Sequence, residues 1–303
     1  MISIQNALAQ EFLITLSSSD KQELLENAGF IIDQYMNEHI LDMKHPTFHE
    51  DLVEMVHTIL SNELENIYND EIEEELRVII QKACRIYFTT VLPRRSFTNT
   101  FCKPRTHSTK IAQKIEKLRN IIQHEQRTTE WYQDRWNMIS ASSAWKALSS
   151  ESSKNSLIYE KCKPLDTEKY TTTTNVNTPF HWGHKYEPLS IQIYEDKYKT
   201  SVEDFGCIPY DKYTNIGASP DGINTDPKST RYGRMVEVKN RFSESVPITG
   251  IPKEEYWIQM QMQMGVCNLN ECDFLETRFK EYNNSEDYHS DGTFTTSKDG
   301  KLK

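Results

Sequence analysis

The chain has 303 residues, which is enough for one large domain or two smaller ones with substantial hydrophobic cores. It contains no run of eighteen apolar residues, and Met1–Leu16 lacks the basic start and the cleavage signature of an export signal. We therefore expect a soluble, intracellular protein without a membrane segment. The six cysteines are scattered without a C-x-x-C pair, which indicates reduced thiols and excludes a disulfide framework, a zinc site and an iron–sulfur cluster.

The net charge of −10 is unevenly distributed along the chain. Met1–Leu92 holds 17 acidic and 5 basic residues, whereas the remainder holds 28 acidic and 30 basic residues. Within that remainder, Pro93–Arg119 carries eight Lys or Arg against one Glu. Local patches rather than the net charge decide contact with nucleic acid, so the overall acidity does not exclude DNA binding.

Residues 1–92 are predicted to form an acidic helical domain. A capping-box pattern at Ser19–Gln22 begins a helix predicted over Asp20–Met43, and two further helices begin near Thr47 and Asp70. Acidic residues in the first turns suit the helix dipole. The acidic surface is either a solvated face or a docking module for a partner protein.

Residues 93–125 are predicted to be a basic linker followed by a helix. Pro93–Thr109 is rich in turn residues, and it is either an exposed linker or an arm that follows DNA phosphates. Ser108–Gln123 has the apolar spacing of an amphipathic helix. At the other end, residues 283–303 are predicted to be a polar tail or a truncated strand region.

Two carboxylates and a lysine lie in a short stretch of the second half of the chain. Ile216–Gly222 is a short apolar piece that ends in an S-P-D-G turn carrying Asp221. In Met235–Lys239, apolar and charged residues alternate, which predicts a half-buried strand with Glu237 and Lys239 on one face.

This combination suits metal-dependent phosphodiester hydrolysis. Mg²⁺ takes hard oxygen ligands, so two carboxylates and a main-chain oxygen can hold it, and a bound ion lowers the pKa of water. A lysine on the same face can orient that water or stabilise an oxyanion. The alternative is that Glu237 and Lys239 are the solvated face of a strand. The upstream carboxylate turn and a downstream helix with Gln259 and Gln263 on one side favour the metal site.

Ser219-Pro220-Asp221 followed by Val236-Glu237-Val238-Lys239 resembles the PD-(D/E)xK nuclease superfamily. The order of further motifs over Gln126–Phe279 is similar to the branch of phage lambda exonuclease and the YqaJ-type viral recombinases. These motifs are W-x-x-x-R followed by S-A-S, then W-G-x-x-x-E, then Y-x-x-Q. The resemblance implies an α/β fold in residues 126–282, a restriction-endonuclease-like core with a mixed central sheet flanked by helices, after an all-α N-terminal domain.

The resemblance also implies a metal site. Asp221, Glu237 and the carbonyl of Val238 would hold Mg²⁺, with Mn²⁺ as a substitute. Glu187, from the W-G-x-x-x-E helix, would assist a second ion about 4 Å away, so that both the entering and the leaving oxygen are stabilised.

Two further residues of these motifs have implied roles in catalysis. Lys239 would position or deprotonate the attacking water. Gln259, the glutamine of Y-x-x-Q, would orient Lys239 or that water.

A second site is implied by W-x-x-x-R and S-A-S. By resemblance, Arg135 and Ser142 would hold a terminal 5′-phosphate, with Ser140 and Arg127 nearby. A guanidinium group and neighbouring hydroxyl groups can bind an anion, because both donate hydrogen bonds and the guanidinium is positively charged. The alternative is that Arg135 pairs with a surface glutamate and the serines only cap the next helix.

The function that follows is a Mg²⁺-dependent DNA exonuclease that degrades duplex ends from 5′ to 3′ and serves viral recombination, repair or replication. One alternative is a structure-specific endonuclease on the same core. Another is a catalytically silent protein that binds DNA ends as a recombination scaffold. The expected partners are double-stranded DNA ends and a single-strand-annealing protein, and a homo-oligomer is compatible with the family. A viral protein of this kind would act in the host cytoplasm or nucleus.

Overall fold

A computed structural model describes residues 16–92, 109–124, 128–165 and 179–302. The chain divides into two compact units. The first comprises Met1–Lys103 with Ile251–Trp257, and the second comprises Pro104–Gly250 with Ile258–Lys303. The predicted boundaries at residues 92, 125 and 282 stay a prediction.

The described part of the first unit is helical. Its main elements are α1 (Ser18–His39), a 3₁₀ turn (Ile40–Lys44), α2 (Phe48–Glu63) and α3 (Asp70–Thr90). The capping box of α1 is real but lies earlier than predicted. Ser17 is the cap residue, its hydroxyl accepts from the amide of Asp20, and the carboxylate of Asp20 accepts from the amide of Ser17.

The three helices bury one apolar stripe each. On α1 the buried positions recur every four residues, which is the spacing of one helix face. The fully buried side chains of the three helices include Ile32, Leu52, Leu60, Ile72, Leu76 and Ile80. Trp257 packs against this cluster, which explains why Ile251–Trp257 groups with the first unit.

The second unit mixes helices and short strands. Its helices within the described residues are α4 (Thr109–Arg119), α5 (Thr129–Asn137), α6 (Ala141–Ala144), α7 (Glu151–Cys162), α8 (Pro179–Tyr198), α9 (Glu254–Cys267, which begins in the first unit) and α10 (Ser285–Ser290), with a 3₁₀ turn at Trp145–Leu148. Its strands are β1 (Ile139–Ser140), β2 (Val202–Glu203), β3 (Ile208–Pro209), β4 (Ile216–Ala218), β5 (Gly222–Asn224), β6 (Met235–Asn240) and β7 (Cys272–Thr277).

The strands form two mixed sheets. One has the order β1-β4-β3, and the other has the order β2-β5-β6-β7. In the larger sheet β6 is antiparallel to β5 and parallel to β7, in a register that runs from Met235 opposite Cys272 to Asn240 opposite Thr277. The predicted mixed α/β class is confirmed.

The apolar residues of Val202–Ile208 predict one continuous strand, and this prediction is wrong. β2 and β3 begin at the two ends of this segment and belong to different sheets. The amide of Gly206 between them donates to the side-chain oxygen of Gln123 at 2.6 Å, so its backbone does not continue the ladder. A Cβ at Gly206 would lie 2.8 Å from the carbonyl oxygen of His124, so this close approach requires glycine.

Strand β6 is buried on both faces, which corrects the prediction of a half-buried strand. Met235 and Glu237 are fully buried on one face, and Val236 and Val238 pack against Tyr194 of α8 on the other. A central strand covered on both sides loses the solvated face that alternation suggests. Glu237 therefore lies in the interior, where a carboxylate requires partners.

Asp273 on β7 is the centre of a buried ionic network. It accepts from Arg231, from Arg234 Nη1 at 2.7 Å and from the Tyr194 hydroxyl at 2.6 Å. Arg231 and Arg234 are only 11% and 8% exposed. We expect Asp273→Ala to lower the free energy of unfolding in urea by about 3 kcal/mol, because Arg231 loses its buried acidic partner.

The matched control for this prediction is Asp196→Ala. Asp196 is paired with Lys199 at 2.6 Å, but both side chains are about 80% exposed. Its removal should change stability by less than about 0.5 kcal/mol. Equal effects of the two substitutions would contradict a stabilising role for the buried network.

Five cysteines in the described ranges carry free thiols, and Cys102 lies outside those ranges. Burial raises the pKa of the Cys267 thiol to about 12 and that of Cys272 well above its usual value. None of the described helices is both long enough and apolar enough to cross a bilayer.

Candidate active site

Asp221 lies on the connection between β4 and β5, where the chain passes from one sheet to the other. Glycines flank this connection at close approaches. A Cβ at Gly217 would overlap Met138 Sδ, and a Cβ at Gly222 would overlap Val202 Cγ1. A larger residue at either position would have to displace Met138 or Val202, so the close packing on both sides of Asp221 suits glycine.

Asp221 is joined to the middle of β6. Its Oδ2 accepts a hydrogen bond from the backbone amide of Val238 at 2.7 Å. Glu237 precedes Val238 on the strand, so this bond brings the two predicted carboxylates into one site. The separate motifs S-P-D-G and E-x-K thus meet in space.

Glu237 is fully buried, and both of its carboxylate oxygens accept hydrogen bonds from neighbouring side chains. Its Oε1 accepts from Gln259 Nε2 at 2.8 Å and forms an ion pair with the ammonium of Lys239. Its Oε2 accepts from Gln263 Nε2 at 2.7 Å. Lys239 is 23% exposed, so the buried Glu237 carboxylate is paired with a side chain that solvent can reach.

The charge environment of Asp221 is unusual. Asp221 keeps some accessible surface but is densely surrounded by protein, and this burial raises the pKa of its carboxyl well above the usual value. The charge of Glu237 raises that pKa further, Glu187 adds a smaller increase, and Lys239 opposes them. Two carboxylates in a poorly solvated site repel each other unless a cation lies between them.

Glu187 lies on α8, within electrostatic reach of Asp221. Its side chain is 27% exposed, and its Oε2 is 3.9 Å from Nδ1 of His184. Within the described residues, Glu187 makes no direct hydrogen bond to Asp221 or Glu237. The predicted role of Glu187 as a third acidic group stays a prediction.

Arg135 and the serines of the predicted phosphate site come together. Thr128 caps α5, and the spacing of one helical turn places the guanidinium of Arg135 4.5 Å from the ring centre of Trp131. Arg135 Nη2 donates to Ser142 Oγ at 2.9 Å and to Ser140 Oγ at 3.4 Å. Arg127 lies outside the described residues.

Residues 130–270 match the family model of the YqaJ-like viral recombinase domain. The resemblance to the YqaJ-type branch is confirmed. This YqaJ-like segment contains both carboxylates of the site, Lys239, both glutamines and the Arg135 cluster.

A curated relative from Acanthamoeba polyphaga mimivirus, the uncharacterized protein R354, is 28% identical over 193 residues. The alignment covers 59% of this chain and 34% of the relative, so the chain spans about a third of that relative's length. Among solved structures, the alkaline exonuclease LHK-Exo from Laribacter hongkongensis is similar with a TM-score of 0.41 and 27% identity, covering 52% of this chain and 77% of that one. LHK-Exo in complex with dAMP matches with a TM-score of 0.40 and 25% identity, covering 53% and 78%.

The donor set in the YqaJ-like segment fits a hard divalent cation. Asp221 and Glu237 offer carboxylate oxygens. The pKa of Asp221 is raised first by burial and then by the charge of Glu237, and a bound cation would offset both effects. No group of three or more His, Cys, Asp or Glu side chains suited to a metal occurs within the described ranges. The predicted ligand set of Asp221, Glu237 and the Val238 carbonyl stays a prediction.

Two residues near these sites were not assigned a role from sequence. The spacing of four residues from Gln259 placed Gln263 on the same helix side, but its contact with Glu237 depends on the packing of α9 on β6. Lys161 on α7 donates to the carbonyl oxygen of Arg135 at 2.8 Å, and burial lowers the pKa of its ammonium. A single lysine in a polar helix gives no sequence signal for such a position.

Proposed function

We propose that this protein is a metal-dependent DNA exonuclease that hydrolyses phosphodiester bonds from duplex ends. The observation that carries the proposal is the meeting of Asp221, Glu237 and Lys239 through the Val238 amide and the Glu237 ion pair. These residues lie in a segment that matches the YqaJ-like viral recombinase domain. The finer fold that we propose for it is the PD-(D/E)xK core, with Asp221 immediately before β5 and the E-x-K residues on β6.

In this proposal Asp221, Glu237 and the carbonyl of Val238 hold Mg²⁺, for which Mn²⁺ can substitute, and Glu187 lies beside a second ion. The bound ions would lower the pKa of water and neutralise charge on the phosphate. The chain's own contribution is to hold the carboxylates in fixed orientations in a poorly solvated site, where electrostatic interactions are strong.

Lys239 would act on the water or on the phosphate oxygen. Its ion pair with buried Glu237 favours the protonated ammonium, which donates hydrogen bonds and cannot accept a proton. Of the two roles that the resemblance implies, orientation of the water is therefore supported over its deprotonation.

The Arg135 cluster is proposed to bind a terminal 5′-phosphate and thereby to set 5′-to-3′ polarity. Arg135 is held by Trp131 on one side and by the hydroxyls of Ser140 and Ser142 on another. A planar guanidinium beside hydroxyl donors matches the oxygens of a phosphate.

The decisive experiment uses end-labelled linear duplex, with and without a 5′-phosphate, incubated with Mg²⁺, Ca²⁺ or EDTA. We expect degradation of the 5′-phosphorylated linear duplex in Mg²⁺ and an intact substrate in EDTA. Cleavage of closed circular duplex would favour the structure-specific endonuclease. Retention of the label with tight binding to ends would favour the silent scaffold.

Arg135→Ala is expected to remove the preference for 5′-phosphorylated ends. Losing hydrogen bonds from a charged donor should lower the rate on 5′-phosphorylated duplex by about tenfold or more, with a smaller effect on 5′-hydroxyl ends. The ratio of the two initial rates measures the effect. Lys154→Ala, which removes an exposed lysine paired with Glu151 on α7, is the control. An unchanged ratio in Arg135→Ala would contradict the assignment.

For the cellular role we propose viral DNA recombination, repair or replication, with the exposed single strand passed to a strand-annealing protein. The acidic helical unit is the proposed docking module for that partner. Co-purification with the full chain, and its loss on deletion of residues 1–92, would test the docking. Sedimentation of the full chain would test for a homo-oligomer, and imaging of infected cells would distinguish host cytoplasm from nucleus.

A further inference from the structure

Gln263 is a fully buried amide in the middle of α9. Its Nε2 donates to Glu237 Oε2 at 2.7 Å and approaches the carbonyl oxygen of Ser219 at 3.4 Å. Gln259, one helical turn earlier, donates to the other carboxylate oxygen of Glu237 at 2.8 Å. The two amides thus contact the same carboxylate from one side of one helix.

We infer that Gln263 is a positioning residue that, together with Gln259, holds the Glu237 carboxylate in the orientation required to bind the divalent ion. The inference rests on the proposed function, and it adds a residue and a specific role to that site. Gln263 acts through Glu237 and is not assigned contact with the DNA.

The first argument is the distribution of donors over the carboxylate. A carboxylate with donors on both oxygens cannot rotate about its terminal bond without losing a hydrogen bond. Oε1 already has two donors, Gln259 and the ammonium of Lys239, whereas Oε2 accepts from Gln263 alone. Each oxygen has two lone pairs, so Oε2, the oxygen that Gln263 orients, keeps accepting capacity for a cation. Supports of this kind fix the orientation and the basicity of metal-binding side chains.

The second argument is the link between the two carboxylate-bearing segments. The Gln263 amide group has two N–H donors, and its second neighbour is the carbonyl of Ser219, two residues before Asp221. The Val238 amide makes the other connection, to Asp221 Oδ2. Gln263 therefore bridges the turn of Asp221 and the side chain of Glu237, whose separation determines whether one ion can bind both.

The third argument is that Gln263 is a poor choice for stability alone. Its Oε1 is buried and makes no hydrogen bond with the residues that the structure describes. A buried acceptor without a donor is costly, whereas an apolar side chain of the same shape is nearly neutral. The neighbours Met260, Met262 and Met264 show that this helix accommodates methionine. A glutamine at position 263 is explained by the site that it contacts.

The test replaces Gln263 with methionine, which conserves length and volume but removes both donors. We expect Mn²⁺ alone, followed by its electron paramagnetic resonance signal in the absence of DNA, to bind about 10–100-fold more weakly. We also expect kcat on end-labelled duplex to fall about 10–100-fold, with KM for DNA ends within about twofold of wild type. Urea unfolding in EDTA shows whether the fold is kept.

The matched control is Gln261→Met. Gln261 lies on the same helix, two residues away, and is exposed. It should leave Mn²⁺ affinity, kcat and stability unchanged. The double variant Gln259→Met with Gln263→Met provides a further readout. Because both amides hold one carboxylate, the effects of the two substitutions on kcat and Mn²⁺ affinity should be strongly non-additive. The second substitution should therefore cause a much smaller loss than the first.

The outcomes distinguish failure of the proposed function from failure of this inference alone. If wild type neither binds Mn²⁺ nor degrades duplex DNA, the proposed function fails, and this inference fails with it. If wild type does both and a folded Gln263→Met does both equally well, only this inference is overturned. Gln263→Leu, which also lacks an amide donor and adds no charge, is the second variant and should show the same losses. Failure of both variants to fold would make Gln263 a structural residue and would also overturn the inference.

Discussion

Replacing Asp221 with asparagine is expected to abolish DNA cleavage while increasing the stability of the metal-free protein. Cleavage should fall by about a thousandfold or more, because a carboxylate that helps to bind the ion contributes several kcal/mol to stabilising the transition state. In wild type the Val238 amide donates to Asp221 Oδ2, and the side-chain oxygen of asparagine can accept the same hydrogen bond. The fold should therefore be preserved.

The stability effect has a defined pH dependence. In the folded chain the pKa of Asp221 is raised, first by burial and then by Glu237, relative to a carboxyl in the unfolded chain. As pH rises through that raised value, ionisation of Asp221 removes stability from wild type but not from Asp221→Asn. In EDTA the variant should gain on the order of 1–3 kcal/mol at alkaline pH, and the difference should shrink as pH falls.

Urea unfolding at several pH values in EDTA, and again in Mg²⁺, measures this effect. Mg²⁺ should stabilise wild type and leave Asp221→Asn almost unchanged, since only wild type has the complete site. A variant that is less stable than wild type at every pH would show that Asp221 is stabilising in its ionised form. That result would contradict the repulsion inferred between the two carboxylates.

Replacing Lys239 with alanine is the second change with a large expected effect. Cleavage should fall about 10²–10⁴-fold, because the group that orients the water or stabilises charge is lost. Binding of duplex ends to the variant in Ca²⁺ should stay close to wild type. Lys239→Arg should not restore the rate, since a planar guanidinium cannot reproduce the geometry of an ammonium.

The control is Lys117→Ala, in which an exposed lysine paired with Asp211 is removed. Because Glu237 is buried and loses its cationic partner in Lys239→Ala, urea unfolding must accompany the kinetics. Mg²⁺-dependent degradation at the wild-type rate by folded Lys239→Ala would remove Lys239 from the mechanism.

The site was predictable where it depends on local backbone geometry. A strand alternates its side chains, so Glu237 and Lys239 had to share a face, and the structure pairs them. A helix places residues four apart on one side, so Gln259 and Gln263 had to lie together. The spacing of Trp131 and Arg135 placed the guanidinium over the ring in the same way.

The remainder depends on contacts between distant parts of the chain. Burial of β6 on both faces depends on Tyr194, which lies about forty residues earlier on α8 and covers Val236 and Val238. No local pattern encodes that contact. The partner of Gln259 was likewise not determined by periodicity. Its side-chain amide donates to Glu237, whereas the predicted role was to orient Lys239 or the water.

The parallel pairing of β6 with β7 has a consequence for synthesis of the chain. All six residues of β6 pair with Cys272–Thr277, and α9, which supplies both amides to Glu237, lies between the two strands. Contacts of such sequence separation form late, because a long loop must close before they contribute stability. When Asp221 and Glu237 have just been translated, α9 and β7 have not yet been made. The two carboxylates therefore still lack the contacts that hold them in place. The two carboxylates, α9 and β7 can come together only after Thr277 has been translated, so the order of synthesis sets the earliest point at which this centre can form.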